Sequence, residues 1–204
     1  MLKGALLQNN HFLTPQLVLM NFETAARNAL KAVFPQLTLK ACFFHFTQCI
    51  WRKTQACGLA GQYRQNDNIK TLVRRAAVLP LVPVNEVEYM WFHALEYNDN
   101  DTPGFTKFAD YATEQWVESW NHYDNGGPRT TNNVEGWHSK INKICKTAHP
   151  NIYTIMKMLQ NIQSTNEAKL IQLSAGGKQR TKKRKHRQLD SLLQQLKLGL
   201  GMVL

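Results

Sequence analysis

The sequence contains no apolar run near the roughly 20 residues a membrane-crossing helix needs. Its best candidate, Val78-Leu79-Pro80-Leu81-Val82-Pro83-Val84, is short and broken by prolines, which argues against a membrane partner. A secretory leader is not legible either. The apolar stretch in Met1-Leu2-Lys3-Gly4-Ala5-Leu6-Leu7 is brief, and Gln8-Asn9-Asn10 closes it. The 4 cysteines, Cys42, Cys49, Cys57 and Cys145, lack the spacing of a secreted disulfide framework, so an intracellular, reduced compartment is expected. No internal repeat is found. Acid is scarce as well: 14 Asp and Glu stand against 25 Lys and Arg.

What is present fits one domain or most of one, since 204 residues with 43% hydrophobic content suffice for a core. The net charge of +11 is unevenly spread. Between Asn85 and Trp120 the 8 acids Glu86, Glu88, Glu96, Asp99, Asp101, Asp110, Glu114 and Glu118 face Lys107 alone. That block carries −7, and the remainder therefore +18. Of those positive charges, 7 fall within Lys178 to Arg187. A basic body with an acidic helical block points to a polyanion for one surface and not for the other.

Apolar periodicity divides the chain. Leu17 to Met20 is short, continuous and apolar, the signature of a buried strand. Phe22, Ala25, Ala26, Ala29, Leu30 and Val33 follow at helical spacing until Pro35. Leu37 to Phe44 predicts a second strand, and a helix runs from Phe46 to near Gly58. This strand–helix–strand–helix order is an α/β arrangement. From Asn68 onward the pattern is helical throughout. One helix carries Ile69, Leu72, Val73, Ala76 and Ala77, and another Val87, Met90, Trp91, Ala94 and Leu95, with Asn85 as its expected cap. A third carries Phe105, Phe108, Ala109, Ala112 and Trp116. Asp124-Asn125-Gly126-Gly127-Pro128 marks a loop. Helices over Asn133 to about Lys146 and Ile152 to about Leu173 come next, and Gly176-Gly177 closes the folded part.

Three segments in a fixed order carry a family resemblance: Leu17-Val18-Leu19-Met20-Asn21-Phe22-Glu23, Cys42-Phe43-Phe44-His45, and Arg129-Thr130-Thr131-Asn132-Asn133-Val134-Glu135-Gly136-Trp137-His138. Together they resemble the rear half of the Mutator-like (MULE) transposase domain, over roughly residues 10 to 165. The resemblance implies a partial ribonuclease-H-like fold with an all-helical insertion at about 68–122. The domain would end near residue 175, followed by a tail, 176–204, that is basic and then carries a short Leu-rich helix. It also implies an Asp-Asp-Glu triad holding magnesium. Its second acid should fall at Asn21 and its glutamate at Glu135, while the first acid is expected on strands N-terminal to Met1. Two departures stand out. Thr131 breaks a stretch that usually runs Arg-Thr-Asn-Asn, and Trp116 lies unusually close to Trp120-Asn121.

Two-metal phosphoryl transfer needs clustered carboxylates to hold two cations about 4 Å apart. Asn21 offers only a neutral carbonyl oxygen, so catalysis by this chain alone is not expected and no cofactor is assigned. Glu23, two residues on, falls where a helix begins and points elsewhere. Glu135 has a second reading: Asn132 followed three residues later by Glu135 fits a capping box. His138 lies one turn further on the same face. Cys42 and His45 invite a zinc reading, but structural zinc sites join two such couples and no second couple is convincing. The pair is read instead as a fold signature beside the former active site. Arg129 with helix-start amides suits a phosphate, and Lys140 and Lys143 lie on the Glu135 helix.

The tract holding Lys178, Arg180, Lys182, Lys183, Arg184, Lys185 and Arg187 repels itself and should be extended. It reads as a nuclear-import or nucleic-acid segment. Leu189, Leu192, Leu193, Leu196 and Leu200 then form an apolar stripe. The expected function is a catalytically inactive, transposase-derived nuclear protein with residual nonspecific DNA binding. The alternatives are a helical interaction module built around Trp91, Phe105 and Trp116, or a subunit completing a metal-dependent nuclease in trans. Self-association or a related transposase chain is the protein partner considered.

Overall fold

The computed structural model describes residues 14–201, apart from 22, 99–101, 117, 146, 148, 179, 180 and 182, and apart from the side chains of Lys185 and Leu200. The protein is mostly helical with one small parallel sheet, and it divides into two compact units, Met1–His138 and Ser139–Leu204.

The first unit begins with β1 (Leu17–Met20), α1 (Thr24–Val33) and β2 (Thr38–Ala41). The strands pair in parallel from Leu17↔Thr38 to Met20↔Ala41, an arrangement that requires the intervening crossover helix. Ala26 and Leu30, one turn apart, are the half-buried positions of α1. The helix stops before Pro35, and the Lys31 ammonium donates to the Leu37 carbonyl at 2.8 Å.

The second strand is shorter than its composition suggests. It ends at Ala41, and α2 (Phe43–Ala56) starts two residues later. Phe43 and Phe44 therefore lie on a helix and not on a strand edge. The reason is the four-residue recurrence Cys42, Phe46, Ile50, Thr54. All four are buried, a spacing that sets them along one helical face, from which Phe46 and Ile50 enter the core.

Gly58, at φ +73°, lets the chain leave α2 in the left-handed conformation. A short turn α3 (Gln62–Gln65) leads into α4 (Asp67–Val78). The Asn66 side chain caps α4 by accepting from the Asn68 and Ile69 amides at 2.8 and 3.3 Å. Two 3₁₀ turns around Pro80 and Pro83 precede α5 (Val87–Glu96). Asn85 does not cap α5, because the chain enters it from the helical turn Val84–Glu86. The Asn85 amide donates to Glu86 Oε1 at 2.9 Å instead.

Helix α6 (Pro103–Glu114) is capped by the Thr102 hydroxyl, which accepts from the Phe105 amide at 3.3 Å. Its start approaches the end of α2 so closely that a Cβ on Gly104 would sit 2.4 Å from the Cys57 carbonyl oxygen. The core lies among these helices. It includes Phe46, Ile50, Ile69, Leu72, Ala76, Trp91 and Phe108, and burying each large apolar side chain contributes about 1.5–3 kcal/mol. Phe46 carries both tryptophan landmarks, with ring centroids 6.5 Å from Trp116 and 5.2 Å from Trp120.

Helix α7 (Asn132–Cys145) crosses from the first unit into the second. In the second unit, α8 (Ile152–Ser174) is capped by the Asn151 side chain, which accepts from the Thr154 amide at 2.8 Å. The helix buries Met158 and Ile162 while leaving Ile152, Met156 and Leu170 exposed. Gly176, at φ +86°, ends it. Then comes α9 (Arg184–Gly201).

The basic tract is thus not extended throughout. From Arg184 it is helical, with the His186 and Arg187 amides donating to the Lys183 carbonyl. A helix splays neighbouring cations around its axis and into water, so repulsion does not prevent the leucine periodicity from propagating backward into the tract. No helix among the described residues is long and apolar enough to cross a membrane.

Candidate functional site

The carboxyl ends of the two strands place the predicted residues side by side. The Cys42 amide donates to the Met20 carbonyl at 2.9 Å, so Asn21 and Cys42 are the next residues on adjacent strands. Asn21 is exposed, and its carbonyl accepts from the Glu23 amide at 2.8 Å. It lines a small notch together with Arg27, Lys40 and Ser119. Glu23 stands at the start of α1, where its carbonyl accepts from the Arg27 amide.

Cys42, His45 and Glu135 are drawn together through Thr131. The Cys42 thiol is fully buried and receives the Thr131 amide at 3.3 Å and its hydroxyl at 3.4 Å. That hydroxyl also lies 3.4 Å from Glu135 Oε1. A hydroxyl has one proton, so it serves the sulfur or the carboxylate, not both at once. His45 Nε2 stands 3.9 Å from the same Oε1. Burial raises the Cys42 pKa, but the Thr131 hydroxyl and amide and the His45 contacts together outweigh it, and the net direction is below the usual thiol value.

Thr131, not Asn132, begins α7: its carbonyl accepts from the Val134 and Glu135 amides at 2.8 and 3.1 Å. Asn132 is the first helical residue, so it does not occupy the cap position that the expected Asn132–Glu135 box needs. His138 is exposed, with its ring 5.4 Å from that of Trp137.

A second group, which the sequence reading did not single out, fixes this cluster. His122 is fully buried. Its Nε2 lies 2.7 Å from the Ala41 carbonyl, and its Nδ1 lies 3.2 Å from the Asn125 side-chain amide. A carbonyl only accepts and an amide nitrogen only donates, so the ring is neutral with its proton on Nε2. The Asn125 side chain also donates to the Pro128 carbonyl at 3.0 Å and accepts from the Gly127 amide at 2.9 Å. The Asn121 amide donates to the Val82 carbonyl at 2.7 Å.

This pinned loop delivers Arg129, whose carbonyl accepts from the Phe43 amide at 2.9 Å. It therefore sets Thr131 against Cys42. The available signal was Asn121 and Asn125 bracketing His122, since asparagines fold loops back on their own backbone.

The remaining basic candidates are dispersed. Arg129 is half-buried, and Lys140 and Lys143 are exposed on α7. Lys178, Lys183, Arg184 and Arg187 are exposed, while Arg180, Lys182 and the Lys185 side chain lie outside the described residues. Among the described residues no three His, Cys, Asp or Glu side chains group as a metal site. Cys49, Cys57 and Cys145 are free thiols.

The family model described as the MULE transposase domain matches residues 2–49. The match takes in β1, α1, β2 and the first half of α2, with Asn21, Cys42 and His45 inside it and Glu135 outside. The resemblance carried by Leu17–Glu23 and Cys42–His45 is therefore shown for this segment. No curated protein matches the chain, and no solved structure does.

Proposed function

We propose that the chain is a transposase-derived protein that does not cut or join DNA by itself and that binds DNA nonspecifically through its basic surface. The observation that carries this reading is Asn21 at the carboxyl end of β1, set in a notch with Arg27 and Lys40. Magnesium, implied by the family, does not fit these residues. A neutral amide stands where the family has a carboxylate, and among the described residues Glu135 is the acid joined to the Cys42 cluster. Its neighbours there are a thiol, an imidazole and a hydroxyl, poor partners for a hard cation.

In this reading β1 and β2 are the remnant of a ribonuclease-H-like sheet, and the Cys42–Thr131–Glu135 contacts hold α7 in place. Arg129, Lys140, Lys143 and the Lys178–Arg187 tract supply phosphate contacts, and the tract directs the protein to the nucleus. Nonspecific affinity on the order of 10⁻⁶ to 10⁻⁴ M is expected at moderate salt, falling steeply as salt rises because counterions are released.

Two measurements test it. Purified chain with magnesium or manganese should leave labelled duplex DNA intact, and Asn21→Asp should not change that. Cutting that disappears in Glu135→Ala would refute catalytic silence, while a flat affinity across a salt series would refute the DNA reading.

A further inference from the structure

The helical block of the first unit bears an open apolar groove of about 300 Å³. Its lining includes Leu79, Val87, Trp91, Phe92 and Trp116, with Glu88 among them. Phe92 is 49% exposed there. Glu86 and Glu114 are sequence neighbours of lining residues, and the whole stretch from Asn85 to Trp120 carries −7. A groove of apolar side chains bordered by Glu88 offers a phosphate backbone no cation. An apolar floor with an acidic surround calls for an amphipathic helix that carries cations.

This chain contains such a helix. Along α9, Leu189, Leu192 and Leu196 recur at the three- and four-residue spacing of one helical face and are 48%, 53% and 57% exposed. Lys183, Arg184 and Arg187 stand exposed at its start. No described side chain of α9 is buried, so the helix draws little from packing, and propensity alone holds helices weakly in water. We propose that the groove receives α9 of a second copy of this chain. The leucines enter the apolar floor, and Arg184 and Arg187 face the acids around it. A second copy is favoured over an unrelated protein because charge and apolar spacing match between two segments of one sequence. The exposed face of α8, with Ile152, Met156 and Leu170, lacks a comparable basic end.

Light scattering on the eluting full chain across a concentration series reads the association directly. A monomer–dimer equilibrium is expected, weaker at high salt because the screening length shrinks from about 10 Å at 0.1 M to about 3 Å at 1 M. The double variant Leu192→Glu, Leu196→Glu and the groove variant Phe92→Glu should each weaken pairing by about tenfold or more. Mixed together, these two should recover it in part, since one brings an intact groove and the other an intact helix for one of the two contacts. Glu88→Lys should be compensated by Arg187→Glu. The helix variant keeps the test open should the groove variant unfold, because its leucines lie outside any core. A wild-type chain that stays monomeric overturns the proposal, including the case of docking within one chain. So does undiminished pairing in the helix variant, which would place the interface elsewhere, with the α8 face the first suspect.

Discussion

Replacing His122 should expose how much of the site rests on one buried ring. His122→Ala deletes the hydrogen bonds to the Ala41 carbonyl and the Asn125 amide. Each buried polar group left unpaired costs about 1–3 kcal/mol, and the emptied volume adds to that. A loss of about 3–5 kcal/mol is expected, a large part of the roughly 5–15 kcal/mol that stabilises a domain.

His122 also gives the protein a pH dependence. Its pKa is lowered, first by burial and then by the nearby Lys40 and Arg129 charges, with the Ala41 hydrogen bond opposing them in part. The unfolded chain, with histidine near its usual value of about 6.5, takes up the proton first. Stability from this group is therefore complete above about pH 6.5 and falls as the pH drops toward the folded value. Each tenfold loss of proton affinity on folding is worth about 1.4 kcal/mol.

The assay is urea unfolding followed by far-UV circular dichroism between about pH 7.5 and 5, on the wild type and on His122→Gln, which cannot titrate. The difference between the two removes the other histidines. It should shrink as the pH falls, by no more than about 1.4 kcal/mol per pH unit for one proton. A flat difference, or one that grows toward acid, would show that His122 is not the buried neutral group described.

Three further outcomes follow from the same geometry. Thr131→Val should lower stability by about 1 kcal/mol by removing the hydroxyl between Cys42 and Glu135, while Thr131→Ser should keep it; denaturation midpoints separate the two. Gly104→Ala should destabilise by about 1–3 kcal/mol because its Cβ meets the Cys57 carbonyl, whereas Gly136→Ala, with nothing within 4 Å, should stabilise α7 by about 0.5–1 kcal/mol in thermal melts. Deleting 178–187 leaves a net charge of +4, from 11 − 7, so the salt slope of DNA binding should flatten, by up to about six for seven lost phosphate contacts; a tagged fusion too large to diffuse should also lose nuclear accumulation.

The sequence alone settled much about this protein. Leu17–Met20 read as a buried strand and forms one, with Leu17 exposed and the others half-buried; the three- and four-residue apolar recurrences marked α4, α5, α6 and α8, although Trp116 falls beyond the end of α6 at Glu114. Leu17–Glu23 and Cys42 with His45 announced the family segment, because single residue types at fixed spacing survive as text. Pairing across distance does not. That Phe43 turns into a helix goes with Phe46 and Ile50 entering one core four residues apart, which outweighs the strand preference of adjacent phenylalanines. Thr131 read as a departure from a pattern and became the link between Cys42 and Glu135, because the partner of its hydroxyl lies 89 residues away in sequence. The sequence reading did not single out His122. Only the fold, by closing over it and offering a carbonyl on one side and an amide on the other, made it a neutral buried ring that fixes the site.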